Sequence, residues 1–231
     1  MNKKNVLIVM SNIDKFSDGT QTGIWFEEFV YPYQKLSENK FEITLASING
    51  GAIPIDKESE YICNEIDCEK YIKLLKRTKK LCDIDYKSTT YKGIIIIGGH
   101  GAMYDLAESL ELGELIRYFN CGCKLIATIC HGCAGLINAT NKVGLPFVLN
   151  KKLTCFSNEE EISIEKDKLV PFMLQSKLST LGAIVENLSK NKINVVIDEN
   201  LITAQNYQSS KLFAEKIVEY LEKDLGCKAY L

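Results

Sequence analysis

Cys130, His131 and Gly132 follow one another at the end of the apolar run Lys124-Leu-Ile-Ala-Thr-Ile129. A strand that stops on a nucleophile pushes that side chain into the open at a sharp, strained bend, with the next helix starting behind it. Helix starts favour negative charge, so a thiolate at Cys130 is expected to be stabilised. His131 supplies an adjacent base or cation. A second turn, Gly98-Gly99-His100-Gly101, directly follows Ile94-Ile-Ile-Ile97. Glycine lets a backbone N–H come close to a substrate oxygen. That loop and the N–H of His131 could together form an oxyanion hole. The chain has 2 histidines, and both lie in these turns. A third group is Glu28, one helical turn beyond Ile24 on a mostly apolar face. A carboxyl group in apolar surroundings keeps its proton and can donate it. Thiol addition with acid–base help is the chemistry these residue types suit.

These turns need strands to hold them. Val6 to Met10, Phe41 to Ala46, Gly93 to Ile97 and Lys124 to Ile129 are apolar on both faces, as buried parallel strands are. Helical patterns fall between and after them, at Thr22 to Leu36, Cys68 to Leu81, Leu110 to Phe119 and His131 to Asn138. This alternation predicts an α/β fold: a doubly wound, mostly parallel sheet flanked by helices. Ligands of such sheets gather at the carboxyl ends of the strands, where both glycine turns fall. Further on, Lys152 to Phe156 is a short strand, and Asn158 to Ile164 and Val170 to Leu178 are helical. Val195 to Ile197 and Leu201 to Thr203 pair around Asp198-Glu199-Asn200. Ser209 to Leu225 closes the chain as an amphipathic helix ended by Gly226. A single domain over 1–231 is expected, with 49–90 as a small inserted cap.

The 231 residues are 46% hydrophobic with a formal net charge of -2, enough apolar material for a full core. Near-neutral charge gives no reason to expect nucleic acid or an anionic membrane. The run Asn5-Val-Leu-Ile-Val-Met-Ser11 reads as a first strand rather than a signal segment. No stretch approaches a membrane span, so a cytoplasmic protein is expected. The 9 cysteines are odd in number and argue against a disulfide framework. Cys121 and Cys123 flank a glycine without further ligands at metal-binding spacing.

Several separate blocks resemble the ThiJ/PfpI superfamily, whose fold is similar to flavodoxin-like class I glutamine amidotransferases. They are Ser17-Asp18-Gly19 with Thr22-Gly23 and Glu28, then Gly50-Gly51, Pro54-Ile55-Asp56 and Ser59. Gly98 to Asp105, Cys130-His131-Gly132, Phe156, Glu161, Val170-Pro171-Phe172 and Gln205-Asn206 follow in order. The chain looks most like the glyoxalase III and heat-shock chaperone branch. The resemblance implies Cys130 as nucleophile, Glu28 as the buried acid beside it and His131 as base. It implies Glu161 as the group orienting that histidine. Gly99 and the His131 backbone would hold the oxyanion, with His100 and Gly132 in the same substrate-binding loops. It further implies conversion of methylglyoxal to lactate without glutathione, metal or organic cofactor, with a small reactive aldehyde as partner. Some relatives are described as deglycases or holding chaperones, and a homodimer is expected.

Other readings of the same residues stand beside this one. Glu161 also reads as one of several first-turn acids in Asn158-Glu159-Glu160-Glu161. His100 reads better as a structural or oxyanion-loop residue than as a direct participant. Cys133 departs from the pattern and creates a C-x-x-C spacing: a resolving thiol, or a small residue filling a helix position. A holding chaperone, a thiol redox sensor and a cysteine hydrolase or peptidase are the competing functions. A glutaminase triad is not among them, because no histidine follows His131.

Overall fold

The computed structural model describes residues 4–64, 66–87 and 89–223. In chain order the strands are β1 (Asn5–Met10), β2 (Glu42–Ser47), β3 (Lys79–Lys80), β4 (Tyr91–Ile96), β5 (Leu125–Ile129), β6 (Lys152–Leu153), β7 (Ile184–Val185), β8 (Val195–Asp198) and β9 (Leu201–Ala204). The helices are α1 (Phe26–Glu38), α2 (Glu69–Leu75), α3 (Asp105–Glu108), α4 (Leu110–Cys121), α5 (Asn158–Ser163), α6 (Leu174–Thr180) and α7 (Ser210–Glu222). Seven strands make one sheet in the order β3-β2-β1-β4-β5-β9-β8. Its pairings are parallel except β8 with β9. This is the expected α/β architecture. β6 and β7 form a separate two-stranded piece.

Alternate residues of each central strand feed opposite faces, the period-two geometry of a strand. Leu7, Val9, Ile94 and Ile96 enter one apolar cluster. Val6, Ile8, Met10, Ile95 and Ile97 enter the other. Both faces are covered by helices, so these strands are continuous apolar runs rather than alternating ones.

Several boundaries differ from expectation, each for a local reason. Residues 22–25 precede α1 as extended chain: Ile24 forms a bridge with Ile55, and a Cβ on Gly23 would lie 2.5 Å from the Pro54 carbonyl oxygen. The helix expected over Cys68 to Leu81 stops at Leu75. There Thr78 exchanges backbone hydrogen bonds with Gly51, and Lys79–Lys80 joins the sheet edge. Pairing across the chain wins over local helical pattern. The segment after Cys130 is a 3-10 helix ending at Leu136 rather than an α-helix. Val170 to Met173 stays non-helical, consistent with Pro171, and α6 begins at Leu174. In α7 the described helix ends at Glu222. The expected stop at Leu225 and Gly226 lies outside the described residues. Residues 49–90 hold a 3-10 segment (Lys57–Asn64), α2 and β3 between β2 and β4. Cys63 and Cys68, expected unpaired, form a disulfide with Cα atoms 5.3 Å apart. Cys63 near the end of the 3-10 segment and Cys68 just before α2 lie within bridging range.

Candidate active site

The site is assembled where β4 and β5 end and α1 begins. Cys130 follows β5 directly with φ 55°, the left-handed region that costs a non-glycine residue energy. The bend turns the thiol away from the strand line. Gly132 must then pass close to β4, since a Cβ there would lie 2.6 Å from the Ile96 carbonyl oxygen. Gly98 is equally constrained. A Cβ on it would sit 2.5 Å from Glu28 Oε2 and 2.5 Å from the Ile129 carbonyl oxygen. Its own carbonyl accepts from the Trp25 N–H at 3.2 Å. Trp25 is the residue before α1 and offers no side-chain cap. Ser59 supplies the cap from across the chain, its hydroxyl oxygen accepting from the Phe26 N–H at 3.0 Å. These ties place Glu28, in the first turn of α1, beside Cys130.

Glu28 is 0% exposed, and no hydrogen bond of ordinary geometry closes on either carboxyl oxygen. Burial pushes its pKa well above the usual carboxylate range, more than the Cys130 thiol and the Gly98 N–H pull it down. Burial also pushes the Cys130 thiol up, and the Glu28 carboxylate beside it adds to the effect. Two groups in one dry pocket cannot both be ionised. Burial therefore favours the protonated form of Glu28. The bend does not by itself keep the thiol ionised, contrary to expectation: the His131 N–H favours the thiolate, but burial outweighs it. The thiol therefore favours its protonated form.

A group able to accept a proton lies beside the thiol. His131 Nδ1 lies 3.3 Å from Cys130 Sγ. Its Nε2 lies 2.7 Å from Glu161 Oε2. With Nε2–H donating to the carboxylate, Nδ1 presents its lone pair to the sulfur. Burial alone would raise Glu161, but contacts with His131 and His100 outweigh it and hold the carboxyl well below its ordinary range. The Glu161 carboxylate has a second partner: His100 Nε2 lies 2.8 Å from Oε1. The two imidazoles stack with centroids 4.0 Å apart. Burial and the neighbouring His131 push His100 down to about 4, so His100 is neutral at pH 7. His100 thus belongs to the histidine–carboxylate chain more than to the glycine loop, a role spacing did not reveal. His100, His131 and Glu161 also bring three ligand atoms within 4.8 Å of one another, a donor set suited to a transition metal. As they stand, both Nε2 atoms are engaged in the hydrogen bonds above.

A pocket of about 150 Å³ opens onto this group. Gly99, His100, Cys130 and His131 line it, together with Trp25, Phe156 and Tyr207. Glu28 and Glu161 stand behind that wall, and Gly132 packs against β4 instead of lining it. Trp25 stacks on Tyr207 at 4.9 Å, and Phe156 lies 4.5 Å from His131. The space suits a small molecule. Glu160 also lines it. Gln205 Nε2 and Asn206 Nδ2 donate to Glu160 at 3.0 and 2.7 Å. Glu160 also completes a capping box with Ser157 at the start of α5. The cap residue is therefore Ser157, and Glu161 is released from capping to reach the histidines. Cys133 is fully buried, with Sγ 2.8 Å from Thr128 Oγ1, and burial pushes its pKa to about 12. It fills core space and is unpaired with Cys130.

A parallel α/β sheet carrying a cysteine on a strained bend at a strand's carboxyl end, beside a buried glutamate, defines a class of fold and site. The chain belongs to the DJ-1/PfpI family, whose family model matches residues 22–220. It is 28% identical to a glutathione-independent glyoxalase, hsp3102 of Schizosaccharomyces pombe, over 94% of this chain and 98% of that protein. The Rapid Encystment Protein of Francisella tularensis superposes with a TM-score of 0.88 at 33% identity, covering 94% of this chain and 99% of that one. Glyoxalase III of Candida albicans superposes with a TM-score of 0.81 at 24% identity, covering 94% and 97%.

Proposed function

We propose that this protein converts methylglyoxal, or a similarly small 2-oxoaldehyde, to a 2-hydroxy acid without glutathione. One observation carries the reading. Cys130 Sγ faces a small pocket with a base at 3.3 Å and a protonated carboxyl group beside it. The similarity to glutathione-independent glyoxalases supports it.

The proton inventory works with these groups alone. His131 takes the thiol proton while sulfur adds to the aldehyde carbon, and Glu28 protonates the aldehyde oxygen, giving a hemithioacetal. Glu28, now ionised, removes the C–H proton from that carbon. His131 protonates the ketone oxygen, giving an enediol. Glu28 returns its proton to the second carbon, and His131 takes the remaining hydroxyl proton, leaving a thioester. Water adds to it and loses its proton to Glu28. The thiolate leaves and recovers its proton from His131. Glu161 favours the imidazolium formed twice in the cycle. The N–H groups of Gly99 and His131 serve the transient oxyanions in this reading.

The test is lactate formation from methylglyoxal by the purified protein with no glutathione present. Cys130→Ser should lose at least about 10³-fold in kcat/KM. Equal turnover by both proteins would refute the proposal. A peroxide-sensing role is the weaker reading, because burial disfavours the reactive thiolate.

A further inference from the structure

The pocket is short of positive charge. Glu58 and Glu160 line it, and among the described residues no Lys or Arg does. Glu27 lies close enough to raise the pKa of both Glu28 and Tyr207. One cation whose field reaches this region is Lys166, which acts on His100 and Asp56. Lys166 does not stand free. Its Nζ lies 2.8 Å from Glu58 Oε2, with side chains 12% and 63% exposed respectively. The two charges offset each other at the mouth, and Glu27, Glu160 and Glu161 are the further acidic side chains around the pocket.

Resting on the glyoxalase reading above, we propose that this pocket selects uncharged aldehydes and repels carboxylates, with Glu58 cancelling the lysine that would otherwise admit them. Methylglyoxal is neutral and enters without an electrostatic cost. The 2-hydroxy acid made from it becomes an anion once hydrolysed, and the same acidic lining expels it. Substrate and product are nearly the same size, so charge is what distinguishes them. An aldehyde that already carries a carboxylate meets the repulsion on entry.

Glycolaldehyde and glyoxylate provide the comparison. They are of similar size and each has an aldehyde that adds to a thiol. Neither holds the ketone needed to go further, so each stops as a reversible inhibitor. One is neutral and the other an anion. Their inhibition constants against methylglyoxal turnover are measured for the wild type, Glu58→Gln and Lys166→Met. The wild type should bind glycolaldehyde at least about tenfold more tightly than glyoxylate. Glu58→Gln unmasks Lys166 and should narrow that ratio by about two- to fivefold, the range of an exposed ion pair. Lys166→Met should widen it. Lactate should inhibit the Glu58→Gln protein more than the wild type. Hydration of the two aldehydes enters every protein's ratio equally, so it cancels when the ratio of a variant is divided by that of the wild type. A wild type that binds both equally, or a ratio that neither variant moves, would overturn the proposal. Protection of Cys130 from alkylation by iodoacetamide gives the same two affinities without turnover. Failure of the glyoxalase reading is therefore seen separately, as absent lactate with selective protection intact.

Discussion

Replacing Glu28 by Gln should stabilise the fold while abolishing turnover, and the stabilisation should depend on pH in a defined direction. Glu28 is buried and neither carboxyl oxygen is hydrogen-bonded with ordinary geometry, so its folded pKa is raised above the unfolded value near 4.5. A raised folded pKa means the native state binds the proton more tightly. The benefit is complete below about pH 4.5 and is lost as pH rises toward the folded pKa. Holding the proton to pH 7 forgoes 2.5 pH units of free ionisation. At about 1.4 kcal/mol per unit this is roughly 3 kcal/mol as a ceiling. Gln carries no proton to lose and escapes the cost. For a chain of this size about 1 kcal/mol moves Tm by roughly 2–4 °C, so the ceiling is about 6–12 °C at pH 7. Thermal melts of both proteins from pH 4 to pH 8 test this. The difference should be near zero at pH 4 and grow in favour of the variant as pH rises. A difference independent of pH, or one that grows toward acid, would refute the assignment of a protonated Glu28. Activity measured on the same samples should fall at every pH, because Gln cannot exchange the proton.

Three further outcomes follow from the same geometry. Gly98→Ala places a methyl 2.5 Å from both Glu28 Oε2 and the Ile129 carbonyl oxygen. It should cost about 1–3 kcal/mol by denaturant titration and reduce kcat, as an overpacked core position does. His100→Leu leaves Glu161 Oε1 without its partner and should lower kcat/KM about tenfold, whereas His100→Gln keeps a donor and should recover part of it. Glu161→Gln removes the charge that favours the His131 imidazolium. The folded Glu161 pKa is depressed, so its contribution to stability is present above pH 4.5 and fades as pH falls through the folded value. The Tm loss in the variant should therefore be largest near neutrality and shrink in acid.

Much of the frame was legible because it is local. Four apolar runs between helical patterns require a parallel sheet covered on both sides, and the sheet is there. Cys130 and the Gly98–Gly99 turn announce themselves because only a sharp bend after a strand needs those residue types in that order. Where local pattern competes with pairing across the chain, sequence misleads. Leu81 looked helical, yet Thr78 to Lys80 are drawn to Gly51 and the edge of β2.

The charge states belong to the tertiary structure. A helix start beside a thiol predicts a thiolate, but burial of Cys130 against Glu28 reverses the balance. No spacing rule could show His100 and His131 sharing the two oxygens of Glu161, since His100 and Glu161 are 61 positions apart. Nor could it show Ser157 taking the capping role that leaves Glu161 free. The sequence by itself determined which atoms arrive at the sheet's carboxyl edge. Only the folded arrangement decided where their protons reside, because solvation and neighbouring charge are set by contacts between distant segments.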